Sequence, residues 1–138
     1  MKKIGIIGFG FMGEALIKGL RSIENPPKVG IIEKATERSR LAVESYGCQD
    51  YGEDFSALFE ESELVILAIK PQQASTLLPA IKGSAGITPV LSVLAGTTTA
   101  KIRELLGERQ VVRFMPNLAA QSQAAVIGVC FSEGVEEA

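Results

Sequence analysis

Short apolar runs alternate along this chain with stretches of helical periodicity. Lys3 to Gly8 (KIGIIG) reads as a buried strand. Phe11 to Ser22 follows as a helix, with Met12, Ala15, Leu16 and Gly19-Leu20 on one face. Asn25-Pro26-Pro27 is a turn ahead of a second buried strand, Lys28 to Glu33 (KVGIIE). Glu37 to Tyr46 reads as a helix that sets Leu41 and Val43 to Tyr46 among charges and stops at Gly47. A short helix over Phe55 to Glu60 leads into Leu64 to Ile69 (LVILAI), the most apolar segment of the chain. The pattern continues with a helix over Gln73 to Ile81 and a strand over Pro89 to Leu94. It then predicts a helix over Thr98 to Leu106, with Thr97 or Thr98 as its cap and Gly107 as its stop. A strand over Gln110 to Met115 and one more over Ala124 to Phe131 complete it.

Strands this apolar need cover on both faces, and strand–helix alternation supplies it through right-handed crossovers. The expected fold is therefore α/β and doubly wound, with a mainly parallel sheet and helices on both faces. A length of 138 residues suits one such domain, 1–138, with a core of its own. Only the tail, Ser132 to Ala138, turns acidic and polar.

Composition then removes several kinds of chemistry. The chain has no histidine, which excludes His-based triads, His metal sites and the commonest acid–base side chain. Cys48 and Cys130 stand alone, without metal or redox spacing, and read as buried or half-buried thiols; no zinc or other metal is expected. A net charge of -2 offers no basic face for nucleic acid. Met1-Lys2-Lys3 with Ile4 to Phe11 has the outline of a secretion signal, but Gly5, Gly8, Gly10 and Gly13 break it and Glu14 follows at once. No apolar run reaches the roughly 20 residues of a membrane helix. These features predict a cytoplasmic protein with neither a membrane nor a nucleic-acid partner.

Between the first strand and the first helix lies Gly8-Phe9-Gly10-Phe11-Met12-Gly13, a Gly-x-Gly-x-x-Gly element. Such a spacing is weak evidence alone and gains weight from this context. Gly8 allows the tight turn off the strand. Gly10 lets backbone approach a pyrophosphate without a Cβ in the way, and Gly13 lets the helix pack close to the sheet. The amides of Phe11 and Met12 then face the phosphates, helped by the helix dipole. A turn serving packing only is the alternative. Glu33 ends the second strand 20 residues after Gly13, where it can accept the ribose 2′-hydroxyl of NAD. Lys34, Arg38 and Arg40 follow and can instead clamp the 2′-phosphate of NADP. Glu37, Arg38 and Arg40 can equally form the solvated face of the second helix. The Rossmann-type reading thus leaves NAD and NADP both open.

Three further segments end successive strands: Ala68-Ile69-Lys70-Pro71-Gln72, Ser92-Val93-Leu94-Ala95-Gly96-Thr97 and Val112-Arg113-Phe114-Met115-Pro116-Asn117. In this order after the glycine loop, they resemble the dinucleotide-binding domain of the pyrroline-5-carboxylate reductase family, from Lys3 to about Asn117. The resemblance implies that Ala68, Ile69, Lys70 and Pro71 line the nicotinamide ribose and the adjoining phosphate. It places Val93, Leu94 and Ala95 behind the nicotinamide ring and Asn117 beside it on the substrate side. The bland alternatives are a surface lysine, a strand terminator and a turn residue for Lys70, Pro71 and Asn117. The chain departs from the family in Leu118-Ala119, where Thr-Pro is usual. It also has Glu33-Lys34 in place of Asn or Ser with Arg, and Asp54 or Phe55 where an Asn is often found.

The resemblance implies reduction of the imine 1-pyrroline-5-carboxylate to proline by NADPH or NADH, in a homo-oligomer. The family's helical dimerisation and substrate domain is absent from this sequence. No side chain here is a convincing proton donor, so the isolated chain is expected to bind dinucleotide and turn over slowly or not at all. The Ala124 to Phe131 strand is expected to mediate self-association. Two other readings remain: a prephenate or β-hydroxyacid dehydrogenase, and a reductase-like paralogue acting as a non-catalytic module.

Overall fold

The computed structural model of the chain describes residues 3–114. The predicted strand over Ala124 to Phe131, Cys130, the Leu118-Ala119 segment and Asn117 lie outside the described residues. In chain order the elements are β1 (Lys3–Ile7), α1 (Phe11–Arg21), β2 (Lys28–Ile32), α2 (Thr36–Tyr46), β3 (Gln49–Asp50), α3 (Phe55–Glu61), β4 (Leu64–Leu67), α4 (Pro71–Ile81), β5 (Val90–Ser92), α5 (Thr99–Leu106) and β6 (Val111–Arg113). The strands form one sheet in the order β3-β2-β1-β4-β5-β6, and every pairing is parallel. This is the doubly wound dinucleotide-binding arrangement, in which the winding reverses between β1 and β4 and opens a crevice at the carboxyl ends of the strands.

Alternating residues send their side chains to opposite faces of the sheet. Ile4 and Ile6 of β1 join Leu64 and Ile66 of β4 in one apolar cluster, covered by Leu16, Ile17 and Leu20 of α1 and Ala42 of α2. Ile7, Val65 and Leu67 face the other way and pack on Leu58 and Phe59 of α3, Leu78 of α4 and Ile102 and Leu106 of α5. Leu16, Ile17 and Leu20 are essentially fully buried, and each such side chain stabilises the fold by about 1.5–3 kcal/mol. Helices therefore cover both faces, as the apolar strands predict.

Two glycines sit side by side inside the sheet, Gly5 in β1 and Gly30 in β2. A Cβ at Gly5 would come within 2.8 Å of Ser62 Oγ and 2.9 Å of Leu58; one at Gly30 would run into the Tyr51 ring. The missing side chains let α3 and Tyr51 lie directly on the strands.

Element ends follow local chemistry. Gly47 closes α2 in the left-handed conformation at φ 69°. Of the two candidate caps of α5 it is Thr98 that serves, its hydroxyl accepting from the Lys101 amide at 3.0 Å. α4 begins at Pro71, two residues before the sequence pattern places it. Proline is suited to the first helical position, and Gln73 Oε1 accepts from the Lys70 amide at 3.0 Å, as in half a capping box. β3 escapes the sequence pattern because it is two polar residues long. It is pinned to β2 by backbone bonds and to β1 by Lys3, whose Nζ donates to Gln49 Oε1 at 2.8 Å and to the Tyr51 hydroxyl at 2.6 Å.

Candidate dinucleotide-binding site

The glycine loop leaves β1 at the point where the sheet reverses. Gly8 has φ 98°, and a Cβ there would lie 2.8 Å from the carbonyl oxygen of Ala68 on the neighbouring β4 loop. Both its conformation and its surroundings require glycine. Gly13, in the first turn of α1, would place a Cβ 2.6 Å from the Gly8 carbonyl, so it too is held by close packing. Gly10 differs. Its φ is -84°, which any residue adopts, and a Cβ built there meets nothing within 4 Å. Packing explains two of the three glycines and makes no steric demand on the middle one, which is the N-cap of α1.

α1 starts immediately after Gly10, and no side chain caps it. Its first amides, among them those of Phe11 and Met12, have no carbonyl one turn back in the helix. Phe11 is 87% exposed, while Met12 packs partly against the core. Phe9 is fully buried, its ring tilted against that of Tyr46 at 6.0 Å.

The β2–α2 segment grips this loop at both ends of one residue. Glu33 Oε1 accepts from the Phe9 amide at 2.5 Å, and its Oε2 accepts from the Ala35 amide at 2.8 Å. Arg38 Nε donates to the Phe9 carbonyl at 2.9 Å, and its Nη2 donates to the Gly10 carbonyl at 3.1 Å. The same Nη2 donates to Glu14 Oε1 at 2.8 Å, and the Tyr46 hydroxyl donates to Glu14 Oε2 at 2.8 Å. The bonds from Arg38 and Tyr46 hold the Glu14 carboxyl below its usual range, and the bond to Glu14 raises the Tyr46 phenol. Arg38 is half-buried and turned onto the loop, so it is not a solvated helix face; its Nε and Nη2 donate to the loop carbonyls and to Glu14. Arg40 is exposed on α2, as expected of a solvated position.

Beside the loop, a cleft of ≈ 470 Å³ opens over the carboxyl ends of β1, β2 and β4. Gly8, Glu33, Lys34 and Ile69 line it, so four of the sequence-predicted residues share one cavity. Its remaining wall is Ile7 and Ile32 from the strands, Phe55 from α3, and Gln72, Gln73, Thr76, Leu77 and Ala80 from α4. The α4 residues escaped the sequence reading. Their one available signal was that α4 follows the Lys70-Pro71 strand end, which puts its first turns at the rim. Gly10, Phe11, Met12, Gly13, Ala68, Lys70, Pro71, Val93, Leu94 and Ala95 do not line this cleft. Lys70, Pro71 and Ala95 are exposed at the same edge of the sheet, and Ala68 and Val93 are half-buried. Leu94 is 1% exposed, so its side chain belongs to the core and any ligand contact must come through its backbone.

Cys48 is buried, and burial pushes its thiol up to about 11, so it is inert, as expected of a packed cysteine. Among the described residues there is no group of His, Cys, Asp or Glu that could hold a metal ion. Nor is any described helix long and apolar enough to cross a membrane.

The family model described as "NADP oxidoreductase coenzyme F420-dependent" matches residues 3–96, which takes in the glycine loop, Glu33 and the Lys70-Pro71 strand end. The chain belongs to that family. Among curated relatives, the pyrroline-5-carboxylate reductase of Aquifex aeolicus is 29% identical over 98% of this chain and 50% of its own length. Pyrroline-5-carboxylate reductase 2 of Bacillus subtilis is 32% identical over 96% of this chain and 49% of its own. Among solved structures, the 1-pyrroline-5-carboxylate reductase of Streptococcus pyogenes superposes with a TM-score of 0.73 at 34% identity, over 87% of this chain and 44% of that one. The chain spans about half the length of the curated relatives it matches. It corresponds to their NAD(P)-binding half, in agreement with the resemblance carried by the strand-end motifs.

Proposed function

We propose that this chain is the dinucleotide-binding half of a cytoplasmic, homo-oligomeric pyrroline-5-carboxylate reductase, and that the imine substrate and its proton donor are held by a further, helical domain. The observation that carries the binding role is the open space at Gly10. Glycine there meets no steric demand of the fold, and a pyrophosphate laid against the loop supplies one. Bound, the reduced dinucleotide supplies the hydride for the C=N carbon. This chain's residues bind and aim it. The amides of Phe11 and Met12 face the pyrophosphate at the positive end of α1. The cleft between Ile32, Phe55 and Leu77 gives the adenine apolar walls. Ala68, Ile69, Lys70 and Pro71 line the nicotinamide ribose and its phosphate. Val93, Leu94 and Ala95 back the ring, with Asn117 on the substrate side.

On this reading NADH is preferred to NADPH. The Glu33 carboxylate stands on the cleft wall, anchored by two backbone amides, with lone pairs left for a ribose 2′-hydroxyl. A 2′-phosphate would meet that negative charge, and Lys34 would be the cation at hand, since Arg38 is engaged on the loop. Glu33→Gln is expected to narrow the preference by about 10-fold, roughly 1.4 kcal/mol, through tighter NADPH and weaker NADH binding. Calorimetric titration of both cofactors reads this directly, and an unchanged ratio would remove Glu33 from the specificity argument.

The catalytic half of the proposal is tested by joining the whole chain to the remaining half of the Aquifex aeolicus reductase. The chain alone is expected to form no measurable proline, and the folded chimera to oxidise NADH in the presence of 1-pyrroline-5-carboxylate. Proline formation by the isolated chain, or a folded, cofactor-binding chimera inert toward the imine, would overturn it.

A further inference from the structure

Arg38 makes an unusual set of contacts for a helix-surface arginine. Its guanidinium lies 5.6 Å from the Phe9 ring centre, and its donors reach two successive carbonyls of the glycine loop, Phe9 and Gly10. Glu14 braces it from α1, and the Tyr46 hydroxyl braces Glu14 in turn. One fork from α2 therefore ties down the loop and the first turn of α1 together.

A trans peptide is planar, and its carbonyl points opposite to the amide of the next residue. Holding the Phe9 and Gly10 carbonyls on the α2 side therefore directs the Gly10 and Phe11 amides the other way. The Gly10 carbonyl also accepts from the Glu14 amide at 3.0 Å, along the helix axis, so the Phe11 amide points out of the open helix end. Glu33 holds the Phe9 amide as well, so the peptides on both sides of Phe9 are fixed. Glycine on either side of Phe9 leaves this backbone many alternatives, and the fork removes them.

We propose that Arg38 is a positioning residue for the dinucleotide: it sets the Gly10 and Phe11 amides for the pyrophosphate through the loop carbonyls and does not itself bind the ligand. The inference rests on the dinucleotide reading and adds to it a role for a cation that would otherwise be assigned to a 2′-phosphate.

The test is calorimetric titration of the wild-type chain, Arg38→Met and Arg38→Lys with NADH and with NADPH, alongside thermal unfolding of each. Arg38→Met is expected to lose about 10-fold in affinity for both cofactors, leaving their ratio unchanged, because the pyrophosphate is common to them. Arg38→Lys keeps the charge and the fold but has no planar fork, and is expected to recover less than half of that loss on a logarithmic scale. A loss confined to NADPH would make Arg38 a 2′-phosphate ligand and overturn the proposal. Unaltered affinities in folded variants, whatever the change in melting temperature, would reduce Arg38 to a structural brace and overturn it as well. Absence of binding by the wild-type chain would overturn the dinucleotide reading itself, and this inference with it.

Discussion

Gly10→Ala is expected to leave the fold intact and to weaken NADH and NADPH binding about 100-fold, close to 2.7 kcal/mol. The added methyl enters open space, and φ -84° suits alanine, so no steric clash resists it. Its effect on stability should be small, a loss of at most about 1 kcal/mol, since alanine is a poorer helix N-cap than glycine. On the proposed binding mode the methyl occupies the side from which the pyrophosphate approaches and holds it off the first amides of α1. Gly8→Ala and Gly13→Ala supply the contrast. Each would put a Cβ inside 3 Å of backbone, and Gly8 is also in the left-handed region, so both are expected to lower the melting temperature. Measuring unfolding and binding for the three variants separates a ligand-serving glycine from two fold-serving ones. Undiminished binding by Gly10→Ala would mean that the loop is a packing turn.

Arg109→Met should destabilise the amino-terminal edge of the sheet by about 3 kcal/mol and roughly 10–15 °C in melting temperature. Arg109 donates to five backbone carbonyls. Nε reaches Gly107 at 3.3 Å, Nη1 reaches Ala85 at 3.2 Å and Thr88 at 3.0 Å, and Nη2 reaches Gly86 at 2.8 Å and Leu106 at 2.9 Å. The Leu106 and Gly107 carbonyls close α5 and have no helical donor ahead of them. The other three line the turn that runs from the end of α4 into β5. Burial lowers the guanidinium from its ordinary value, yet arginine stays protonated at neutrality, so the fork carries its charge into this knot. Methionine keeps much of the volume but removes the guanidinium's donors, and of the five carbonyls Ala85 keeps the Thr88 amide at 3.4 Å. Arg109→Lys should recover only part, because one ammonium cannot span the five positions. A loss below 1 kcal/mol in chemical unfolding would show that water replaces the fork without difficulty.

Arg109 and Arg38 also mark where the amino-acid pattern stops being informative. The strands, the helices and the covered parallel sheet were legible because burial on two faces imposes continuous apolar runs, as in Leu64 to Leu67. Gly47, Thr98 and Gly107 were legible as helix ends because their conformations and side chains suit those positions. The position of the glycine loop and of Glu33 at the strand ends was legible because spacing and context place them there. Both arginines instead act on backbone carbonyls. A carbonyl has no residue identity, so nothing in the sequence pairs Arg38 with Phe9 or Arg109 with Ala85. For Arg38 the sequence shows only a cation following Glu33, which is also what a 2′-phosphate would select. β3 was missed for the opposite reason: two residues are too few to make a pattern, and Lys3 and the β2 backbone hold them in place. The cleft wall on α4 was missed because Gln72, Thr76 and Leu77 look like any amphipathic helix until the topology sets that helix beside Glu33 and Lys34.

The central claim is that the crevice beside the glycine loop binds a nicotinamide dinucleotide without help from any other domain. Calorimetric titration of the pure chain with NADH and with NADPH tests it most directly. Saturable binding with one site per chain, tighter for NADH, is the predicted result. Failure of both cofactors to bind at millimolar concentration, in a chain that unfolds cooperatively, would contradict it.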